Sequence, residues 1–360
     1  MIPIQHRERT TNYRMPAEWE PHLATYLVWP HNRETWPGTF DRIPPVFAKL
    51  VAAIARFEPV RILIEDAAAR AEAQPVVEAE LRKADGAVAG ERIHFVEIAT
   101  NDSWIRDHGP IFINRHGGGP GPAQIALDWR FNSWGEKYGP WTLDDVVPRE
   151  LGKCFGFDVI EPGIVLEGGS IDVNGAGLLL TTEQCLLNPN RNPGLTRAEI
   201  EDYLMTYLGV GKVLWLGEGI AGDDTDGHVD DLARFVSPDT IVTVVEHDRT
   251  DDNYRPLADN LRRLETMRDL DGRAFKIVTL PMPPASYYEE TRLPASYANF
   301  YFANGAIVMP TFDCSSDAQA REILRRLFPG REVIGVPAID LVWGLGTIHC
   351  LTQQHPQPHK

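Results

Sequence analysis

Two kinds of apolar patterning run along the chain. Short runs rich in Val, Ile and Leu recur at residues 24–29, 60–64, 93–98, 178–182, 212–216, 241–245, 275–280, 306–309 and 332–336. Their length and β-branched content predict strands. Between them, residues 45–57, 67–83, 196–208, 254–270 and 316–328 predict helices, the second an amphipathic segment interrupted by Pro75. Thr196 with Glu199, and Ser316 with Gln319, have the spacing in which a hydroxyl caps an amide three residues on and is capped in return. Strands and helices alternate throughout, sometimes after a strand pair. The class is therefore α/β with a mixed sheet topology.

No Ser/Gly linker or charge block divides the chain, and its 30 Gly and 28 Pro are spread as turn punctuation, so residues 1–360 read as one domain. The one glycine-dense stretch, HGGGPGP at 116–122, lies between apolar runs at 109–113 and 124–127 and reads as a hairpin loop. A lipase-type oxyanion loop would need a G-x-S-x-G elbow, which the sequence lacks. It also lacks a G-x-G-x-x-G after a strand and a phosphate-binding P-loop, so nucleotide binding has no support.

Composition narrows the partners. A 360-residue chain with 43% hydrophobic residues buries a large core, which excludes disorder as the main state. Against 51 Asp+Glu stand 35 Lys+Arg, a net charge of −16 that repels nucleic acid and anionic membranes and attracts a small cation. Residues 1–14 carry charge and no apolar stretch, so no secretory signal is expected, and no run approaches the roughly 18 apolar residues of a membrane span. Cys154, Cys185, Cys314 and Cys350 form no C-x-x-C pair, which argues against a disulfide scaffold and a cysteine zinc site and fits a reducing cytoplasm. A homo-oligomer is compatible with all of this.

Four polar segments place ionisable groups among glycines and aromatics beside expected strand ends: NDSWIRDHGP (101–110), LEGGSIDV (166–173), DDTDGHVDD (223–231) and GLGTIHCLTQQHP (344–356). They supply a thiol at Cys350, an imidazole at His228 and carboxylates at Asp107, Glu167 and Asp230. Cys350 follows a glycine-punctuated loop and precedes polar residues, a setting for a reachable thiol. Cys154, Cys185 and Cys314 read as structural. In an extended strand His228 and Asp230 would share a face. A calcium loop fails because Ala233 stands where a bidentate Glu is required. Histidine with these acids could hold a metal, but no second histidine stands at ligand spacing. Asp107 after Arg106 reads plainly as a surface ion pair. Beside Trp104 it also suits a planar cation, the acid accepting N–H bonds and the ring offering a face. Glu167 before Gly168 and Gly169 either closes a turn or points a half-buried acid into a cleft.

Taken in order, these segments resemble the agmatine deiminase family, which includes the bacterial-type peptidylarginine deiminases. MPAEWEPH (15–22), TTEQCLLNPNRNP (181–193) and ASYANFYFANGAI (295–307) extend the likeness over nearly the whole chain. The resemblance implies a five-bladed α/β propeller, the pentein fold, around an acidic pocket. It implies Cys350 as nucleophile, His228 as acid and base, Asp107 and Asp230 as guanidinium-binding acids, Glu167 as the acid supporting histidine and substrate, and Trp104 beside the substrate. The implied reaction is hydrolysis of a guanidino compound through a Cys350 thiouronium, agmatine giving N-carbamoylputrescine and ammonia, with no metal or organic cofactor. Peptidyl-arginine, free arginine or another guanidino compound is the alternative substrate. A non-catalytic guanidinium binder and a zinc hydrolase are alternatives of other classes. The segment at 344–347, Gly-Leu-Gly-Thr, and the short stretch 281–294 depart from the family pattern and are expected to shape the pocket mouth.

Overall fold

The computed structural model describes residues 2–83, 90–117 and 120–358. All nine expected strands are present, and all but Ile93–Glu97 have their place in one recurring unit. In that unit a first strand pairs antiparallel with a second, a helix follows, and a third strand lies parallel to the second. The unit occurs as Ile111–Arg115, Gln124–Leu127 and Asp158–Ile160, with helix Val147–Phe155 between the last two strands. It recurs as Asp172–Val173, Leu178–Thr182 and Lys212–Leu216 around helix Arg197–Leu208. Ala233–Ser237, Thr240–Val245 and Lys276–Pro281 repeat it around Tyr254–Thr266, and Tyr301–Ala303, Ala306–Thr311 and Glu332–Pro337 around Ser315–Leu327. In a fifth sheet, the late strand Gln353–Pro356 pairs antiparallel with His22–Val28, which continues through helix Ile43–Ala55 to the parallel strand Val60–Ile64, with Ile93–Glu97 added parallel beyond it; a small two-stranded sheet, Tyr287–Tyr288 with Thr291–Arg292, stands outside these units. A helical crossover suits each unit because parallel neighbours cannot be joined by a tight turn.

The second strands are the most deeply buried, whereas the third strands Lys276–Pro281 and Glu332–Pro337 are partly exposed. Leu180, Leu216, Val242, Val244 and Val308 are fully or almost fully buried. Each such side chain contributes about 1.5–3 kcal/mol on leaving water. The expected cap at Thr196 is present: its Oγ1 accepts from Glu199 N, and the Glu199 carboxylate accepts from Thr196 N at 2.8 Å. The box expected at Ser316 and Gln319 is not the one used. The helix starts at Ser315, and the Asp317 carboxylate accepts from Cys314 N at 3.3 Å, because the cap falls two residues earlier, at Cys314. Pro75 does not interrupt its helix either, which runs unbroken over Ala67–Lys83. The carbonyl that loses its donor belongs to exposed Ala71, where water can replace it.

The glycine-dense stretch joins the antiparallel pair Ile111–Arg115 and Gln124–Leu127, as a hairpin requires, although Gly118 and Gly119 lie outside the described residues. Among the described residues, no helix is long and apolar enough to cross a membrane.

Candidate active site

Each unit delivers a polar segment just before its first strand. Asp107 lies in the short helix Ile105–His108 ahead of Ile111–Arg115, and Glu167 precedes the turn Gly168–Ser170 ahead of Asp172–Val173. His228 and Asp230 flank the start of the turn Val229–Asp231 ahead of Ala233–Ser237. Asn299 precedes Tyr301–Ala303, and Cys350 precedes Gln353–Pro356. The strand expected to align His228 with Asp230 is thus a 3-10 turn, which separates their contacts without separating their destination.

That destination is marked by Gly169. A Cβ added there would stand 2.6 Å from His228 Nδ1, 2.8 Å from Asp107 Oδ1 and 3.1 Å from Asp230 Oδ2. Only glycine leaves room for three side chains to meet over its backbone. Cys350 joins them: its Sγ lies 3.1 Å from Asn299 Nδ2 and 3.8 Å from Asp230 Oδ2. His228 Nδ1 is 3.7 Å from Asp107 Oδ1, and its Nε2 is 4.0 Å from Glu167 Oε2. All five residues anticipated for chemistry therefore converge. Trp104 lies at the same place, its ring against Gly346, where a Cβ would approach to 2.6 Å.

Trp104, Asp107 and Cys350 line a cavity of about 430 Å³, with Glu167, His228 and Asp230 buried behind them. Gly344, Leu345 and Gly346 line it too, as do Tyr288, Thr291 and Leu293, so both stretches that depart from the family pattern form its wall. A wider depression of about 930 Å³ around Glu183 and Arg263 lies apart from these groups.

Several polar atoms here are buried without any hydrogen-bond partner: Glu167 Oε2, Asp230 Oδ1 and both ring nitrogens of His228. Native interiors rarely tolerate such atoms unless a ligand or water completes them. Burial pushes the Cys350 thiol well above its ordinary range, and Asp230, Asp231 and Asp107 push it further. For His228, burial favours the neutral ring, but Asp107, the Cys185 thiol and Glu167 together raise it well above the usual imidazole range. Burial raises the Asp107 carboxyl, helped by Asp230 and Glu167 and opposed by His228. Asp230 is held low against its burial by His349 and His228. These directions favour a neutral thiol and a charged imidazole among the clustered acids.

The surroundings correct one expectation and refine another. Arg106 and Asp107 do not form a surface pair. Arg106 is buried, donating to Gln354 Oε1 at 2.8 Å, while Asp107 accepts from Trp134 Nε1 and Gly169 N, each at 2.9 Å. Cys185 packs in an apolar cluster as expected of a structural thiol, yet its Sγ also lies within 4.8 Å of donor atoms of Glu167 and His228. These three could ligate a metal, but the Arg191 guanidinium already holds Glu167 Oε1 at 2.6 Å, a fixed positive charge beside them that would repel a dication.

Residues without an assigned role complete the site. Asn299 Oδ1 accepts from Thr347 Oγ1 at 2.7 Å and His349 N at 2.9 Å, which leaves its amide to face the Cys350 sulfur. His349 bridges two acids, with Nδ1 2.7 Å from Asp230 Oδ2 and Nε2 2.7 Å from Glu18 Oε2. Asn299, His349 and Glu18 stand inside the motifs ASYANFYFANGAI, IHC and MPAEWEPH, so the signal for them was their motif rather than their spacing.

Comparisons with known proteins give the family. The model of the Porphyromonas-type peptidyl-arginine deiminase family matches residues 14–356. Agmatine deiminase of Pseudomonas aeruginosa (strain LESB58) is 40% identical over 377 residues, covering 98% of each chain. The solved agmatine deiminase of Enterococcus faecalis superposes with a TM-score of 0.87 at 32% identity, covering 98% of each chain. A cysteine-to-serine C. jejuni agmatine deiminase with substrate bound gives 0.85 at 32% identity, covering 97% of each. By sequence and by structure, this chain belongs to the Porphyromonas-type peptidyl-arginine deiminase family, among its agmatine deiminases.

Proposed function

We propose that the chain hydrolyses agmatine to N-carbamoylputrescine and ammonia, with Cys350 as nucleophile. The observation that carries this reading is the pair of buried, unpartnered carboxylate oxygens, Glu167 Oε2 and Asp230 Oδ1, beside a thiol. A guanidinium offers a planar fork of N–H donors and one positive charge, which matches carboxylates arranged around one point. At an effective dielectric of about 20, one such contact at about 4 Å is worth on the order of 4 kcal/mol before desolvation. Trp104 supplies a face for the cation.

The same charge activates the sulfur. The acids that hold the thiol protonated are offset when the guanidinium arrives, so substrate binding releases the Cys350 proton to solvent and leaves the thiolate. Attack forms a C–S bond and a tetrahedral adduct. The C–N bond to one terminal nitrogen then breaks, His228 gives that nitrogen its proton, and ammonia leaves a thiouronium on Cys350. Neutral His228 next takes a proton from water, whose oxygen bonds to the same carbon. The C–S bond breaks, the thiol is restored, and the ureido product departs.

The cavity mouth favours a cationic tail. Glu34, Asp102 and Asp224 line it, while the lining Lys137 is engaged by Asp226 and the Asp224 carbonyl. The terminal ammonium of agmatine meets this wall favourably, whereas the carboxylate of free arginine meets like charge. We further propose that the five sheets stand as blades of one propeller, each presenting its segment to the centre, with residues 1–360 acting as a single catalytic domain. The four cysteines, all free, fit work in a reducing cytoplasm.

Ammonia release from agmatine, free arginine and an arginyl peptide tests the substrate. Agmatine should exceed both in kcat/KM by on the order of tenfold or more, about 1.4 kcal/mol of discrimination. Equal turnover of arginine or the peptide would transfer the assignment to that substrate, and no ammonia from any of them would leave a guanidinium-binding protein.

A further inference from the structure

The motif TTEQCLLNPNRNP contains Arg191, which has no catalytic role in the reaction above. The Arg191 side chain is wholly buried, and its guanidinium reaches two separate parts of the site. Nε donates to Glu167 Oε1 at 2.6 Å. On its other edge, Nη1 donates to Asp226 Oδ2 at 2.6 Å and Asn190 Oδ1 at 2.7 Å, and Nη2 donates to the Thr225 carbonyl at 2.7 Å. Thr225 and Asp226 belong to the loop that carries His228, whose own N–H is accepted by Asp223 Oδ2 at 3.0 Å and Thr225 Oγ1 at 3.2 Å. One rigid fork therefore ties the acid to the loop bearing its imidazole.

Two consequences follow from this geometry. With Oε1 occupied by Arg191, Glu167 has Oε2 as its free oxygen, the atom that faces His228 Nε2 at 4.0 Å. The guanidinium also fixes a positive charge one carboxylate away from the imidazole, which opposes protonation of that ring. We propose that Arg191 is the positioning residue of the Glu167–His228 pair: it selects the carboxylate oxygen that meets the imidazole and sets their spacing. This rests on the roles given above to Glu167 and His228. Lysine cannot reproduce it, since an ammonium carries the charge without the planar fork.

The test compares Arg191→Met, Arg191→Lys and Asp226→Asn, with Glu167→Gln alongside, by kcat, KM and the pH dependence of kcat on agmatine. Arg191→Met should lower kcat on the order of a hundredfold, as outer hydrogen-bond partners of working ligands do, with KM altered less than about threefold. Its His228-dependent limb should move to higher pH, because a repelling cation is gone. Arg191→Lys should return the limb to its wild-type position while kcat stays low. Asp226→Asn, which weakens the outer anchor of Arg191 together with the contacts to Lys137 and Asn190, should lower kcat by about tenfold. A wild-type pH profile in Arg191→Met, or a loss confined to KM, overturns the inference. Should both Arg191 variants fail to fold, Asp226→Asn decides, and unchanged kcat there overturns it. Full turnover in Glu167→Gln would overturn the role of Glu167 and this inference with it. Slow Glu167→Gln beside normal Arg191→Met would overturn the inference alone.

Discussion

The strands and helices of this protein and the segments that form its site obey opposite rules. Outside, Leu180, Val242 and Val308 are buried because they are apolar, and their neighbours are apolar too. In the site, Glu167, His228 and Asp230 are buried just as deeply although each is ionisable, and some of their atoms find no partner in the protein. The first arrangement lowers the free energy of the fold. The second raises it unless a ligand completes it, so the site is explained by what it binds rather than by what it stabilises.

This contrast can be broken by substitutions that ought to separate activity from stability. Cys350→Ser should cost the most turnover, on the order of 10⁴-fold or greater, with an unaltered melting temperature, because a hydroxyl cannot replace the thiolate. Residual activity near wild type, read by ammonia release, would refute the nucleophile. Asp107→Asn removes one of the clustered acids and should cost on the order of a hundredfold in kcat/KM, since losing one partner of a buried charged contact costs several kcal/mol. An unchanged kcat/KM would remove Asp107 from the clamp.

Reactivity of the empty site offers a smaller but sharper signal. Because burial and the neighbouring acids raise the Cys350 thiol well above its ordinary range, its thiolate fraction at pH 7 falls below the few per cent of a free cysteine. Alkylation by neutral iodoacetamide should therefore be slow at pH 7 and still rising beyond pH 9, with no plateau near the ordinary thiol value. A plateau below about pH 8.5 would show a thiolate already formed without substrate. The smallest effect on chemistry belongs to the strands. Leu180→Ala should lower stability by about 2–5 kcal/mol in denaturant unfolding while kcat of the folded fraction stays within about twofold.

The same contrast decides what was legible in the sequence. Strands such as Thr240–Val245 announce themselves because hydrophobic burial selects their side chains. Gln353–Pro356 and Asp172–Val173 do not, since one reads Gln-Gln-His-Pro and the other has two residues, yet both are first strands that place the site. Likewise Cys350, His228, Asp107, Asp230 and Glu167 stood out as reactive types among glycines. Asn299, Trp134 and Arg191 did not, because their roles arise from partners 51, 27 and 24 residues away along the chain. Periodicity predicts what water excludes; it says nothing about which polar groups folding will bring face to face.

The central claim is a covalent bond between Cys350 and the guanidino carbon. Acid-quenching the enzyme during its first turnover of agmatine, followed by peptide mass spectrometry, tests it directly. The account predicts a gain equal to the substrate less ammonia on the peptide containing Cys350, with Cys154, Cys185 and Cys314 unmodified. Turnover that proceeds with no adduct on Cys350, or with the adduct on another cysteine, would contradict it.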